Sequence, residues 1–339
     1  MGLQISEIIT KKEISFSDLK GKTIAVDAFN AIYQFLTTIR QPDGTPLKDS
    51  RGNITSHLSG LFYRNMSLIL EGVKLIYVFD GEAPELKAGT WKKRKEAKDE
   101  MKEKYKQALE KEDIEGMGKY ARADVRLDEQ KIQESKALLE AMGIAVVQAP
   151  GEGEAQASYL AEKAVVYAVS SQDYDCLMFK APRLIQNLSL ARKRKTVSGF
   201  KEVFPQMIET KEVLKELEIN HEQLICLGIL CGTDYNPGGV KGLGPKKSLK
   251  IVKEHKIKEK IFEHVENDSK YYVDFDWQAI YNEIENPDVD ELVKIEFPKI
   301  DKEKIKKILM KYDFSEERID NQLLKLENEK KKAGQKTLF

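Results

Sequence analysis

The sequence has little that would tie it to an oxidising compartment or a membrane. It contains three cysteines, Cys176, Cys226 and Cys231, an odd number with no C-x-x-C pair. This excludes a disulfide framework and a paired-cysteine zinc knuckle, and it points to free thiols in a reducing cytosol or nucleus. No apolar run is long enough to span a bilayer, so no membrane partner is expected. The opening residues Met1-Gly2-Leu3-Gln4-Ile5 lack the basic and apolar regions of a signal peptide. An excess of one charge is missing too. Lys plus Arg is 56 and Asp plus Glu is 56, a formal net charge of +0. A uniformly basic nucleic-acid sleeve is thereby excluded, whereas a locally basic face is not. The four histidines, His57, His221, His255 and His264, stand outside every motif described below, and no Ser-His-Asp or Cys-His arrangement is present. No internal repeat is visible. What remains is a chain of 339 residues, 41% hydrophobic and 33% charged, enough for a packed core under a charged surface in one large or two ordinary domains.

The first half alternates strand-like and helix-like segments. Thr23-Ile24-Ala25-Val26 is a short buried-strand run ending at Asp27. Leu58, Leu61, Phe62, Met66, Ile69 and Leu70 recur at helical spacing and stop near Gly72. Leu75 to Phe79 forms a second strand ending at Asp80-Gly81. A helix from Ile132 to Met142 precedes Gly143 and a third strand, Ile144 to Val147. Another helix opens after Pro150-Gly151, and a fourth strand, Val165 to Val169, runs into Ser170 to Asp175. Strands separated by helices predict an α/β fold with a mostly parallel central sheet. From about Leu214 the chain reads as all-helical, and from Glu329 as a flexible tail. Residues from about Leu86 to Arg126 break the rhythm. They are helix-forming, poor in apolar residues and rich in lysine, including Lys92-Lys93-Arg94-Lys95. Such a segment is either a solvated charged helix or an inserted helical flap that meets a polyanion.

The placement of carboxylates is the informative feature. Asp27 ends the first strand, Asp80 follows the second, Asp173 and Asp175 follow the fourth, and Glu152 and Glu154 sit where the third strand's loop becomes a helix. In a parallel α/β sheet these positions share the rim at the strands' carboxyl ends, where such folds bind ligands. Asp173-x-Asp175 in an extended turn puts both side chains on one face. Glu152-x-Glu154 would diverge in mid-helix, but at a helix start the first Glu can remain extended and both can reach one point. Two like unit charges about 4 Å apart repel by roughly 1 kcal/mol in water and about 4 kcal/mol near a protein surface, so the gathering requires cations. All donors are oxygens, which predicts Mg²⁺ first and Mn²⁺ second, two ions per site, and disfavours zinc. Paired hard ions beside a polyanion channel suggest phosphodiester hydrolysis. Downstream, Gly242-x-Gly244 before a helix bearing Lys246, Lys247 and Lys250 suits either a plain helix–helix turn or a hairpin that grips duplex backbone without reading bases.

Five motifs in order complete the picture: Val26-Asp27-Ala28 with Tyr33-Gln34-Phe35-Leu36; Val78-Phe79-Asp80-Gly81; Ala149-Pro150-Gly151-Glu152-Gly153-Glu154-Ala155-Gln156-Ala157; Ser171-Gln172-Asp173-Tyr174-Asp175; and the run from Gly232 to Gly244. With these the chain resembles the flap endonucleases of archaeal and eukaryotic replication and repair, over essentially its whole length. The resemblance implies a PIN-like 5′ nuclease fold: residues 1–98 as the N-terminal nuclease region, an arch beginning near 86 with its cap portion at 99–130, an internal nuclease region 131–258 containing a helix–two-turn–helix, a helical region 259–328 and a tail 329–339. It implies that Asp27, Asp80 and Glu152 hold one metal while Glu154, Asp173, Asp175 and Asp234 serve the other. Lys87 and Arg94 match the basic pair that meets the scissile phosphate, with Asp175 also catalytic. Tyr33 matches an aromatic on which a terminal base stacks. Arg40, Arg64, Glu152, Gly232, Asp234, Gly242, Gly244, Lys246 and Lys247 match positions at the DNA interface. The amine of Gly2 is implied to lie near the active site. Gln335, Leu338 and Phe339 resemble a sliding-clamp peptide, although only one aromatic follows Leu338. The implied activity is 5′-flap cleavage and 5′→3′ exonuclease action in Okazaki-fragment maturation and base excision repair, by a cytoplasmic, nucleoid-associated monomer, or a nuclear one if eukaryotic. The alternative is a non-catalytic branched-DNA adaptor for the clamp.

Overall fold

The computed structural model describes residues 3–41, 44–82, 84–87, 100, 127–188, 193–196 and 199–336. The expected arch and cap fall largely outside the described residues, as do Gly2, Arg94, Leu338 and Phe339. No helix among the described residues is long and apolar enough to cross a membrane.

Nine strands are described. Seven form one sheet: β1 (Lys12–Glu13), β2 (Thr23–Asp27), β3 (Lys74–Phe79), β4 (Ala145–Gln148), β5 (Ala168–Ser170), β6 (Arg183–Gln186) and β9 (Gln206–Glu209), while β7 (Lys193–Thr196) and β8 (Gly199–Glu202) pair as a separate hairpin. The spatial order is β1-β9-β6-β5-β2-β3-β4. The five strands from β6 to β4 are parallel, as alternation with helices predicts; β9 and β1 add antiparallel edges, which the sequence reading did not contain. The order doubles back at β2, whose neighbours are β3 on one side and β5 on the other, and such a reversal opens a crevice beyond the strands' carboxyl ends.

Register decides what reaches that crevice. Asp27 pairs with Val78, so Asp80 extends two residues beyond the end of β2. Val26 pairs with Ser170, which brings Ser171 level with Asp27. The fourth strand starts later than its apolar run, because Ala164 takes a positive φ of 57° and Val165 is left 51% exposed in the turn.

Helices cover both faces. One core packs α1 (Ala28–Thr38), α2 (Ser56–Leu70), α3 (Glu129–Ala141), α11 (Lys302–Met310) and α12 (Glu316–Lys336) against one side of the sheet. The other packs α4 (Gly153–Glu162), the short α5 (Asp175–Met178), α6 (Thr210–Leu217), α7 (His221–Cys231), α8 (Pro245–His255), α9 (Lys258–Asn267) and α10 (Trp277–Glu285) against the opposite side. Gly60 lets α1 and α2 approach closely; a Cβ there would lie 2.2 Å from the Phe35 ring. Between α10 and α11 the chain is coil rather than helix, and it straps across the fold. Buried Gln156 donates to Asp290 O at 3.1 Å and accepts from Asp290 N at 2.7 Å, and Asp301 N donates to Ala141 O at 2.8 Å. Residues 329–336, expected as a loose tail, continue the last helix to Lys336.

Candidate active site

Asp27 ends β2 and caps α1. Its Oδ1 accepts from Asn30 N at 3.1 Å and its Oδ2 from the Ser171 hydroxyl at 3.2 Å. Ser171 also lies 2.7 Å from Glu154 Oε1, so one hydroxyl bridges carboxylates from two elements. Asp80 Oδ1 accepts from Gly153 N at 2.6 Å, at the first turn of α4. Only glycine permits this approach, since a Cβ on residue 153 would lie 2.6 Å from that same oxygen. Glu152 is the extended N-cap of α4 (φ −79°, ψ 132°) and Glu154 falls in its first turn, as the sequence predicts. Asp173 and Asp175 converge by a different route from the expected extended turn. Tyr174 between them is helical (φ −89°, ψ −2°), and Asp175 opens α5. Asp173 accepts from Asn30 Nδ2 at 3.0 Å and Asp175 from Leu3 N at 2.8 Å.

Asp234 arrives from the loop after α7. Gly232 turns there with φ 101° against the backbone of Gly239, where a Cβ would lie 2.4 Å from Leu230 O. Asn236 locks the turn: its Oδ1 accepts from Thr233 N at 3.1 Å and Thr233 Oγ1 at 2.8 Å, and its Nδ2 donates to Ile229 O at 2.8 Å. Gly232 is thus buried under the loop, whereas Gly242 and Gly244 are exposed with open space beside them. Lys246 and Lys247 are exposed at the start of α8, Lys246 being 3.7 Å from Glu7 and Lys247 donating to Gly242 O at 3.3 Å.

These carboxylates act on one another. Burial, then Asp80 and Asp173, push Asp27 up to about 7. Burial, then Asp173 and Asp234, raise Asp175 to about 7 against the bond from Leu3. Burial raises Asp80 to about 6, with Glu152 and Asp234 adding to it and Gly153 opposing. Glu154 is held well above the ordinary carboxylate range by burial and by Asp27, Asp175 and Asp173. Every one of the seven expected carboxylates therefore feels another. Lys87, at the end of the short 3₁₀ turn Glu85–Lys87, enters this basin. It forms an ion pair with Glu152 and lies 3.9 Å from Asp234. Burial alone would lower its ammonium, yet Glu152, Asp234 and Asp175 hold it above its usual value.

Among the described residues no three His, Cys, Asp or Glu side chains close on one ion-sized point, so the carboxylates form a basin rather than a finished cage. Its donor set fits hard divalent ions: carboxylate oxygens, largely buried, and raised in pKa by that burial and by one another. Sequence reasoning passed over Asn30, Ser171, Tyr235 and the Leu3 N–H. Ser171 lies inside a quoted motif and Tyr235 directly follows Asp234; Asn30 and Leu3 carry no local signal.

The remaining expected contacts divide. Tyr33 is half-buried on α1. Arg40 spends its guanidinium on its own surroundings, donating to Thr37 O at 3.0 Å, Gly44 O at 3.0 Å and Leu36 O at 3.2 Å. Arg64 is partly buried on α2. Gln335 lies in the last turn of α12.

Comparison with known proteins bears on the whole chain. It matches the XPG N-terminal domain over residues 2–101 and the XPG I-region over residues 143–234. It is 51% identical to Flap endonuclease 1 of Pyrococcus furiosus over 341 residues, covering 100% of this chain and 98% of that protein. Among solved structures it is similar to flap endonuclease-1 from Methanococcus jannaschii, with 40% identity, a TM-score of 0.75 and coverage of 97% and 98%. The catalytic core of Rad2 in complex with DNA substrate shares the fold at 21% identity, with a TM-score of 0.71 over 95% of this chain and 97% of that one.

Proposed function

The chain belongs to the flap endonuclease family of structure-specific nucleases, and on that footing we propose that it cuts 5′ flaps of branched DNA with two Mg²⁺ ions held by the rim carboxylates. The carrying observation is the basin itself: seven acidic side chains from five separate segments, mutually repelling and largely buried, with Lys87 among them. Asp27, Asp80 and Glu152 would hold one ion, and Glu154, Asp173, Asp175 and Asp234 the other. When bound, such ions supply a more acidic water and neutralise charge on the phosphate in an in-line displacement.

The chain's own residues do the rest. Ser171 and Asn30 orient Asp27, Glu154 and Asp173 by hydrogen bonds, so the carboxylates keep their places as charge changes. Lys87 carries a positive charge at the basin's edge, suited to a scissile phosphate that gains negative charge; Arg94 would join it. Exposed Gly242 and Gly244 before α8, with Lys246 and Lys247, would grip the duplex phosphates and position the junction. Tyr33 would stack a terminal base, a contact worth about 1–3 kcal/mol. Affinity from phosphate contacts falls as salt rises, while specificity comes from shape and from which strand can thread.

A 5′→3′ exonuclease activity, roles in Okazaki-fragment maturation and base excision repair, action as a monomer, and a cytoplasmic or nuclear location belong to this proposal. So does clamp binding through Gln335, Leu338 and Phe339. A silent adaptor would have no use for a basin that costs so much repulsion. The test is a double-flap DNA labelled at its 5′ end and incubated with Mg²⁺, Mn²⁺ or EDTA. The expected result is a single cut near the junction, dependent on metal, and lost with DNA binding retained in Asp175→Ala. Absence of cleavage in both metals would refute the reading.

A further inference from the structure

Tyr235 has no part in the reading above, yet it touches both halves of the Lys87–Glu152 ion pair. Its hydroxyl donates to Glu152 Oε2 at 2.9 Å. Its ring lies under the Lys87 ammonium, 4.7 Å from Nζ to the centroid. Lys87 in turn pairs with the other oxygen of Glu152 and lies 3.9 Å from Asp234. All three polar groups are shielded, with side-chain exposures of 14% for Lys87, 13% for Glu152 and 17% for Asp234. A cation placed on an aromatic face gains attraction that grows as water is removed. Tyr235 itself is held by the Gly232–Gly239 crossing and by Thr233 Oγ1, which accepts from its N–H at 3.1 Å. The place of the ring is thus set by its own loop and not by Lys87.

Glu152 and Asp234 are also among the oxygens that a divalent ion would use. An ammonium and a dication cannot share them without strong mutual repulsion. We infer that Tyr235 is a positioning residue that seats Lys87 between Glu152 and Asp234 as an internal counter-ion, which a divalent cation must displace. The inference rests on the metal-dependent nuclease reading for its purpose. Displacement frees the lysine from the carboxylates at the moment the metals arrive, and so makes its charge available to a phosphate only in the loaded site. Seated there, Lys87 also offsets part of the repulsion between Glu152 and Asp234.

The test uses the full-length, metal-stripped protein without DNA, and reads Mn²⁺ binding by electron paramagnetic resonance. Lys87→Met removes the competitor, and Mn²⁺ is expected to bind about tenfold tighter. Lys87→Arg keeps a positive charge on the ring and against the carboxylates, and Mn²⁺ is expected to bind it clearly more weakly than Lys87→Met. Tyr235→Leu removes the platform and is expected to tighten binding too, with the double variant no tighter than Lys87→Met alone. A second measurement needs no variant. Acetylation of Lys87, followed by mass spectrometry against exposed Lys246, is expected to speed up when Mn²⁺ saturates the protein. This readout decides the matter if Tyr235→Leu fails to fold. Unchanged Mn²⁺ affinity in Lys87→Met, or unchanged Lys87 acetylation, overturns the inference; so does a Tyr235→Leu effect that adds to that of Lys87→Met. Flap cleavage by the wild type is scored separately: its failure would sink the nuclease reading, while the Mn²⁺ and acetylation results would still decide this one.

Discussion

The main-chain N–H of Leu3 donates to Oδ1 of Asp175 at 2.8 Å, across 172 residues of sequence, in a buried setting. The N-terminal segment is thus a structural part of the acidic basin. A bond from an N–H to a carboxylate favours the ionised form, and here it opposes burial and Asp173. Leu3→Pro deletes that donor. Loss of one such bond to a charged group is worth about 1.5–3 kcal/mol. The expected outcome is a drop of about ten- to a hundredfold in single-turnover flap cleavage, with the far-ultraviolet circular dichroism of the wild type. A variant that cuts at the wild-type rate would show the bond to be incidental.

Gly153→Ala tests the contact between Asp80 and the start of α4. Alanine is the better helix former, so propensity alone predicts a small gain in stability. The Cβ, however, would lie 2.6 Å from Asp80 Oδ1, which must then swing away from the Gly153 N–H. The Cβ would also lie 3.0 Å from Val78 O, so thermal stability is expected to fall modestly, while cleavage falls by about a hundredfold, on the order of 3 kcal/mol of misplaced ligand. Cleavage at the wild-type rate would show the contact to be incidental.

The raised carboxylates give the metal-free protein a distinctive pH dependence. Asp27 and Asp175 lie at about 7 and Asp80 at about 6, above the roughly 4 of an unfolded chain. The folded state therefore binds protons that the unfolded state has released. The stability this contributes is fully present below about pH 4 and is lost as pH rises through about 6–7. A divalent ion must displace those protons, so its stabilising effect grows over the same window. The rise in melting temperature caused by Mg²⁺ is expected to be clearly larger near pH 8 than near pH 5, as read by scanning fluorimetry against an EDTA control. Equal rises at the two pH values would contradict the shared basin.

A second polar cluster holds the C-terminal helices. Glu134 on α3 accepts from the Tyr312 hydroxyl and faces Nε2 of buried His57 at 3.2 Å. Despite some burial, these bonds hold Glu134 at about 2, well below its ordinary value. A depressed carboxylate stabilises the fold above roughly pH 4 and loses that contribution as pH falls towards about 2. Glu134→Gln keeps the shape but removes the charge. A loss of about 1–3 kcal/mol in urea unfolding at neutral pH is expected, with the difference from the wild type roughly halved near pH 3 and vanishing only as pH falls below about 2. A neutral-pH loss below about 0.5 kcal/mol would mark the cluster as too solvent-exposed to matter.

Much of this was legible in the order of residues alone. Alternating apolar runs such as Thr23 to Val26 and Leu75 to Phe79 report burial directly, because side-chain direction along a strand and around a helix is a local property. Strand-end Asp27 and Asp80 and the helix-start pair Glu152 and Glu154 followed from that, since the end of each element fixes where its last side chain stands. The tertiary structure decided what local periodicity cannot encode. It paired two-residue β1 and four-residue β9 at the sheet's edge, turned Arg40 back onto the end of its own helix, clasped Gln156 to Asp290, and brought Leu3 and Lys87 to carboxylates far along the chain. Those are polar pairings between segments whose meeting depends on how every intervening helix packs. Their geometry is a property of the assembled core, and no short stretch of sequence contains it.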